Sequence, residues 1–340
     1  MNRRHFLTSA SLVSARSLLA ASGAEKSRLG ICTFSCHQRW KLTQPTNAAD
    51  FYRYARELGA EGVQSPLRGC EPKTIRDLVE QIGGYYEGEL RLPKSERDLA
   101  AFEAEVRQTR EAGASVARAV FTNGRRYEAF PTLEAFRAFH EQAQQTLALI
   151  EPTLKKHRLK LAIENHKDHT TEELVGMMKV ISSEWIGVLV DTGNNLALLE
   201  EPHAVIEALA PFALSVHLKD MVVQSSDDGF LLSEVPLGTG MLDLPRMIAT
   251  LRKVNPRIVI NLEMATRDPL RIPCLKEGYF TTLPGRKETH LTAAMQRVKQ
   301  NPPKAPVPVV SGKPDHQILA EEESNNSHGL RWMNKNLRAR

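Results

Sequence analysis

LKLAIENH, residues 159–166, is the stretch of sequence from which the fold follows. Its apolar residues Leu159, Leu161 and Ile163 occupy alternate positions, and the chain then becomes polar at Glu164. Alternation of this kind over so few residues predicts a short, buried β-strand. The strand is therefore expected to present a carboxylate at its C-terminal end.

The same pattern recurs three times downstream. Apolar runs end at a charged or imidazole side chain in VLVDTGN, SVHLKD and VINLEM, and the residues at those ends are Asp191, His217 and Glu263. Helical stretches separate the runs, which predicts parallel strands connected by helices. Because consecutive parallel strands of this type place their C-terminal ends on one rim, we expect the four side chains to converge.

A site that collects two glutamates, an aspartate and a histidine requires a cation. Carboxylates that lie close together repel one another, and carboxylate and imidazole groups are ligands that divalent metals accept. Each residue alone would be interpreted as a helix cap or a surface group. Four in succession, separated by 27, 26 and 46 residues and each at an equivalent strand end, instead predict a metal site formed by Glu164, Asp191, His217 and Glu263.

The rest of the chain supplies the other half of a barrel. Short apolar strands are predicted at 29–34, 60–64, 87–92 and 114–121, and amphipathic helices at 48–58, 72–82, 95–112, 132–157, 171–181, 202–209 and 244–254. With the four strands above they make eight strand–helix units of roughly 25 to 35 residues, the repeat of a (β/α)8 TIM barrel. A doubly wound open sheet is the alternative, but no glycine-rich phosphate-binding loop follows the first strand. The barrel domain is expected to span 25–300, with a helix at 287–298 covering one end.

Both ends of the chain differ in composition from the middle. Residues 1–24 carry Arg3 and Arg4 before a weakly apolar segment, which resembles a twin-arginine export signal and predicts a periplasmic or secreted protein. A disordered N-terminus that holds two arginines is the alternative. Residues 301–340 are rich in proline and then in polar residues, which predicts a mobile tail. No run of about 18 apolar residues occurs, so no segment is expected to span a membrane.

Charge, cysteines and motifs exclude several classes of function. The formal net charge is +5, but the basic excess lies at the two ends of the chain, which favours an ordinary mixed surface over a nucleic-acid-binding one. The four cysteines form no CxxC pair, so we expect free thiols and no zinc ribbon. The sequence has no GxSxG, Walker or HExxH motif, which leaves serine hydrolases, P-loop NTPases and zincin proteases without support.

The segments IENH, VDTGN, VHLKD and NLEM resemble the fifth to eighth strands of the xylose-isomerase-like TIM-barrel superfamily. That superfamily contains sugar isomerases and epimerases, inosose dehydratases and AP endonucleases. The resemblance covers residues 29–300 and is sharpest between 159 and 264. It implies that Glu164, Asp191, His217 and Glu263 bind one divalent metal ion, which would be manganese, cobalt, magnesium or zinc.

By this resemblance, we expect a metal-dependent isomerase or epimerase that acts on a ketose, a keto-sugar or an inositol derivative. Glu164 and Glu263 would also be its acid and base. One removes a proton next to a carbonyl that the metal polarises, which gives an enediolate on the metal, and the other returns a proton. The alternative is that both glutamates only hold the ion. The expected partner is a small-molecule sugar, with no nucleic acid and no membrane. Whether the protein forms a homo-oligomer is left open.

Three other functions share the fold or the site. A lyase or dehydratase, of the inosose-dehydratase or keto-glycoside-cleaving kind, starts from the same enediolate but expels a β-substituent. A phosphodiesterase of the AP-endonuclease kind needs a cluster of several metals, and the early strand ends offer His37 and few other ligands. A catalytically inactive barrel that binds sugar is opposed by the intact set of four ligands.

Three further side chains are candidate substrate contacts. His166 lies two residues after Glu164, Lys219 belongs to the HLKD segment, and His37 lies at the end of the first strand. Two of them have an ordinary alternative: His166 could cap or face solvent, and Lys219 could form an ion pair at the rim.

Asn194 is the fourth candidate substrate contact, and it departs from the resemblance. It lies three residues after Asp191, where ketose epimerases of the superfamily often carry a histidine that contacts the substrate. Val223 stands six residues after His217, where those enzymes hold the sugar with an arginine. Arg267 is a weaker candidate for an anionic group of the substrate, with simple solvent exposure as its alternative. These departures indicate a substrate geometry different from that of the ketose epimerases.

Overall fold

Eight parallel strands close into a barrel in the computed structural model, which describes residues 27–43 and 47–338. The strands, in chain order, are β1 (Leu29–Cys32), β2 (Gly62–Ser65), β3 (Tyr85–Glu89), β4 (Val116–Ala119), β5 (Lys160–Glu164), β6 (Ile186–Asp191), β7 (Ala213–Leu218), β8 (Asp220–Ser226), β9 (Gly229–Val235), β10 (Val259–Leu262) and β11 (Leu270–Ile272). β1 to β7 and β10 form the barrel, and β10 closes it by pairing with both β7 and β1. The predicted (β/α)8 TIM barrel is therefore confirmed.

Helices connect the strands and cover the outside of the barrel. They are α1 (His37–Leu42), α2 (Ala48–Glu57), α3 (Pro72–Ile82), α4 (Leu99–Glu111), α5 (Arg126–Ala129), α6 (Leu133–His157), α7 (Thr171–Ile181), α8 (Pro202–Leu209), α9 (Leu244–Val254), α10 (Thr292–Gln300) and α11 (Asp315–Leu337). The predicted bounds of α3, α7, α8 and α9 agree with the structure because local signals fix them. A proline opens α3, where its missing N–H is no loss, and Gly83 follows its last residue with φ +74°.

The barrel strands carry apolar runs because both of their faces are covered. Every residue of β6, for example, is buried. The four cysteines are free thiols, and Cys32, Cys36 and Cys274 are buried. Helices cover one face of each strand and the barrel interior covers the other. The strands therefore have no solvent-exposed face, and their sequences need not alternate between apolar and polar residues. A few polar side chains inside the barrel, such as Glu87 and Ser215, bond to one another, and the C-terminal strand ends deliver the polar side chains that form the site at the rim.

A second, antiparallel sheet extends the rim beyond β7 and was not predicted. β8 pairs with β9, and β11 pairs with β9 on its other side. The sheet packs with α10 around a hydrophobic cluster of its own, which includes Phe230 and Ile272. The predicted helix at 287–298, a π-helix at Lys287–Leu291 followed by α10, thus covers this sheet. The turn sequence SSDDG at 225–229, between two apolar runs, was the available signal for the hairpin.

The prediction of a mobile tail at 301–340 is wrong for its larger part. α11 occupies 23 of those residues and packs on β10, β1 and α1, as the helix that completes the eighth strand–helix unit. Leu330, Met333 and Leu337 are buried in the barrel's hydrophobic core. Gly329 lies so close to Leu262 that a Cβ at this position would fall 2.7 Å from the leucine methyl group. The polar run EEESNNSHG concealed the helix because the residues that the run buries, Glu322, Asn326 and Gly329, give no apolar pattern.

The N-terminal prediction falls outside the structure. The twin-arginine-like segment at 1–24 lies among the residues that are not described, so export remains a prediction. Among the helices of the described residues, none combines the length and the apolar character that crossing a bilayer requires.

Candidate metal and substrate site

The four side chains that the sequence placed at strand ends meet at one point. Glu164 ends β5, Asp191 ends β6, His217 lies in β7 and Glu263 follows β10. One nitrogen or oxygen atom from each lies within 4.8 Å of the corresponding atom of every other, and all four residues are buried. The predicted convergence is therefore observed, at the rim formed by the C-terminal ends of the strands.

The donor atoms at this point fit a divalent cation. Among the described residues, His217 Nδ1 and Glu263 Oε2 are buried without a hydrogen-bond partner, and they contact each other. Asp191 Oδ2 also lacks an aligned hydrogen bond, although the Lys219 ammonium lies 2.9 Å away. Glu164 Oε2 lies 3.8 Å from His217 Nδ1. Buried polar atoms without partners are costly, and a divalent ion accepts this combination of carboxylate and imidazole ligands.

Gln64, at the end of β2, fixes the orientation of His217. His217 Nε2 donates to Gln64 Oε1 at 2.6 Å, which turns Nδ1 towards the three carboxylates. The Gln64 amide is itself oriented, because its Nε2 donates to Glu87 Oε2 at 2.9 Å, and Ser215 Oγ donates to the same oxygen at 2.8 Å. Burial lowers the pKa of His217, but the neighbouring Glu263 outweighs it and holds that pKa well above its ordinary value.

Lys219 lies behind the four side chains, where sequence reasoning had placed a candidate substrate contact. Its Nζ lies 2.9 Å from Asp191 Oδ2, 3.0 Å from Glu263 Oε1 and 3.5 Å from Glu234 Oε1. Burial lowers the pKa of Lys219, but these carboxylates together hold it well above the ordinary value. The ammonium therefore balances part of the negative charge and is already occupied by protein groups.

Arg118 is a member of the site that sequence reasoning missed. It lies in β4, and its Nε donates to Glu164 Oε2 at 2.6 Å while its Nη1 donates to Glu89 Oε1 at 2.8 Å. Burial would raise the pKa of Glu164, but Arg118 outweighs it, so that pKa is lowered to about 2. Glu164 is thus held ionised. An arginine within the strand VARA was the only signal in the sequence.

A cavity of about 830 Å³ opens above three of the four side chains, and Asp191 lies behind its wall. His37 and His166 line it, as do Glu164, His217 and Glu263. His166 Nδ1 is buried without a hydrogen-bond partner in the described part of the chain. Burial, together with the neighbouring Lys167, lowers the pKa of His166 to about 4, so this imidazole is neutral at neutral pH. Two of the candidate substrate contacts therefore face the space that a substrate would occupy.

Asn194 connects the site residues and lies outside the cavity wall. Its Nδ2 donates to Glu164 Oε1 at 2.9 Å, and its backbone N–H donates to Asp191 Oδ1 at 2.8 Å. Its Oδ1 accepts from two ammonium groups, those of Lys167 and Lys219. The structure therefore places Asn194 and Lys219 behind the metal-ligand candidates, and His37 and His166 in front of them.

The clusters of potential metal ligands define a single centre. The described residues contain two such clusters, and both include His217 and Glu263, with Cys32 joining them in the smaller one. An AP-endonuclease-like site requires several metals with their own ligands on the early strands. The geometry therefore favours one ion.

These observations agree with the comparison to known proteins. A family model described as xylose isomerase-like TIM barrel matches residues 52–279, which is more than half of the chain. The chain belongs to this family.

The relatives of the chain carry out several reactions. It is 31% identical over 114 residues to a 3-oxo-isoapionate decarboxylase of Pectobacterium atrosepticum, which is 33% of this chain and 42% of that enzyme. The match thus spans less than half the length of that relative. A solved L-ribulose 3-epimerase has a TM-score of 0.57 at 14% identity, over 92% of this chain and 95% of the epimerase.

A solved structure that contains a metal is also similar. A xylose isomerase-like TIM-barrel protein from Mycobacterium smegmatis, in complex with magnesium, has a TM-score of 0.51 at 15% identity, over 74% of this chain and 90% of the other. At such identities the structural likeness concerns the fold alone. The family model and the convergence of the four side chains are independent of it.

Proposed function

We propose that the protein is a metal-dependent isomerase or epimerase of a ketose, a keto-sugar or an inositol derivative. The observation that carries the proposal is the meeting of two buried glutamates, Glu164 and Glu263, with Asp191 and His217, next to a cavity that all of them except Asp191 line. The ion would supply Lewis-acid polarisation of a substrate carbonyl, which acidifies the neighbouring C–H bond. One divalent ion per chain is part of the proposal.

Glu263 is the better placed of the two glutamates to take a proton from carbon. Lys219 holds its Oε1 at 3.0 Å, while its Oε2 contacts the His217 imidazole. When the C–H bond breaks, the proton goes to Glu263 and the electron pair moves to the carbonyl, which gives an enediolate. Glu164 is ionised in the free site, so it would first take up a proton from water. Delivery of that proton to the opposite face of the enediolate would give the epimer, and delivery to the adjacent carbon would give the isomer.

A lyase is the second candidate, and a specific observation favours it. The decarboxylase relative shares 31% identity over 114 residues, and a buried lysine, Lys167, lines the same cavity. In decarboxylation the bond between the carboxylate carbon and its neighbour breaks, and CO2 leaves. The electron pair passes to the adjacent carbonyl, and the resulting enediolate takes a proton from the protein. A dehydratase would form the enediolate first and then expel a β-hydroxyl group.

Deuterium exchange separates these reactions. Wild-type protein loaded with Mn²⁺ would be incubated in D2O with a panel of keto-sugars and keto-sugar acids, while product deuteration and CO2 release are followed. Glu263→Gln keeps the shape of the side chain but removes the base, so we expect exchange to fall by about 10² to 10⁴. Glu105→Gln, a carboxylate on the cavity wall that is exposed, is the matched control.

Each outcome assigns the reaction. Deuterium in recovered or rearranged sugar supports the isomerase, and CO2 without prior exchange supports the decarboxylase. A metal-loaded protein that does neither with any compound would show that the isomerase proposal is wrong. Export through the twin-arginine route remains a separate proposal that rests on Arg3 and Arg4.

A further inference from the structure

One buried cation in the site has no negative partner. Lys167 follows β5, is only 4% exposed and lines the cavity. Its ammonium donates a hydrogen bond to Asn194 Oδ1. Across the described residues, no carboxylate oxygen lies within 4.0 Å of this ammonium.

Lys219 provides the comparison within the same site. Its ammonium donates to the same Asn194 oxygen, at 3.3 Å, but it also meets the carboxylates of Asp191 and Glu263. Both lysines are buried, so both have lost most of their hydration. Only Lys219 forms ion pairs with these carboxylates, whereas Asp191 and Glu234 act on Lys167 from more than 4.0 Å away.

The surroundings of Lys167 increase its need for an anion. Burial lowers its pKa most, and repulsion from Lys219 and Arg267 lowers it further, to about 8. An ammonium in this position is disfavoured until a negative group approaches from the open side, which is the cavity. A carboxylate there would meet a charge that is already desolvated and positioned.

The cavity wall as a whole also favours an anion. Its lining holds seven lysine and arginine side chains against four glutamates, and two of those glutamates are the metal-ligand candidates Glu164 and Glu263. A bound cation would use their negative charge, which leaves the wall more positive. A neutral sugar gains nothing from this excess, whereas an anionic substrate does.

We propose that Lys167 binds a carboxylate of the substrate, and that the substrate class is a keto-sugar acid. This inference deepens the proposed function and depends on it for the reacting carbonyl. The carboxylate lies at the Lys167 side of the cavity, and the carbonyl lies over Glu263. In the lyase reaction the same contact would hold the group that leaves as CO2.

The test compares three probes of similar size on Mn²⁺-loaded protein by calorimetric titration: 5-keto-D-gluconate, D-fructose and D-fructose 6-phosphate. Wild type is expected to bind the keto acid at least tenfold more tightly than D-fructose. In Lys167→Met this preference disappears while D-fructose binding stays within twofold, and Lys167→Arg restores part of it. Lys41→Met, an exposed lysine on the same wall, keeps the preference.

Three results would overturn the inference: equal binding of acid and neutral sugar by wild type, an unchanged preference in Lys167→Met, or tighter binding of the phosphate than of the carboxylate.

Thermal unfolding adds an independent readout. Because the buried ammonium of Lys167 forms no ion pair within the described residues, Lys167→Met should unfold at the same or a higher temperature than wild type, and a lower temperature would show a structural role. Binding is measured without turnover, so the deuterium experiment can fail on its own and identifies failure of the proposed function separately.

Discussion

The side chain that orients His217 binds no metal itself. Gln64 accepts from His217 Nε2, and Glu87 holds the Gln64 amide in place from inside the barrel. Burial raises the pKa of Glu87, and its hydrogen bonds from Ser215, Gln64 and Asn261 oppose that rise. Hydrogen bonds therefore connect Glu87 in the barrel interior, through Gln64, to His217 beside the proposed ion.

Replacing Gln64 tests this arrangement. Gln64→Met removes the acceptor for His217 Nε2, so the imidazole loses its fixed orientation and Nδ1 no longer points reliably to the carboxylates. We expect Mn²⁺ affinity, measured by competition with a fluorescent chelator, to fall by about 10- to 100-fold. Gln108→Met, an exposed cavity residue, should leave the affinity unchanged. Equal affinities for all three proteins would show that Gln64 does not position the ligand.

At the scale of single residues, the sequence predicts the candidate metal ligands better than it predicts the side chains that hold those ligands in place. Glu164, Asp191, His217 and Glu263 could be found because each ends an apolar strand. Arg118 and Gln64 also lie near strand ends, but an arginine or a glutamine at such a place is usually exposed. Their roles depend on which strands become neighbours across the rim, and short-range patterns carry no information about that.

Among the elements, α11 makes the most specific prediction. Leu330 is 1% exposed and packs in the barrel core. Truncation to alanine leaves a cavity, so Leu330→Ala should lower the free energy of unfolding by about 2 to 5 kcal/mol in urea denaturation. Arg331→Ala, the next residue and exposed, should change it by less than about 0.5 kcal/mol. A mobile tail would give the same small value for both variants.

α11 also connects the end of the chain to the site. Glu322 accepts from the backbone N–H groups of Gln38 and Arg39, at 2.7 and 2.9 Å. Asn326 donates to the Ser35 carbonyl at 2.8 Å. The helix thus fixes the segment after β1, which presents His37 to the cavity. This contact joins residues more than 280 positions apart, which is why composition alone indicated a tail.

For the molecule as a whole, the barrel explains both what was predicted and what was missed. Eight strand–helix units follow from local periodicity, and the shared rim follows from the parallel arrangement. The sheet of β8, β9 and β11 is an insertion between barrel units, and nothing in the repeat requires it. It nevertheless contributes Glu234, which holds Arg267 at 2.8 Å beside the cavity.

The proposed ion should couple the stability of the whole barrel to pH. Burial is the main cause that raises the pKa of Asp191, to about 6, and Glu263 holds the pKa of His217 above its ordinary value. Protons therefore compete with the ion at both residues. At low pH, the protons bound to Asp191 and His217 stabilise the folded protein. Metal binding requires both residues to lose those protons. The contribution of the metal should decrease as the pH falls from 8 through about 6, where Asp191 takes up its proton.

Thermal and urea unfolding with and without Mn²⁺ measure this coupling. At roughly 100 times its Kd, the ion should add about 2.7 kcal/mol to the free energy of unfolding at pH 8, and EDTA should remove that increment. At pH 5 the same concentration should add much less. Asp191→Asn, which keeps the size of the side chain but removes a charged ligand, should show little increment at either pH. An increment that is equal at pH 8 and pH 5 would mean that the ion binds away from Asp191 and His217, because only groups that exchange protons for the ion impose this dependence.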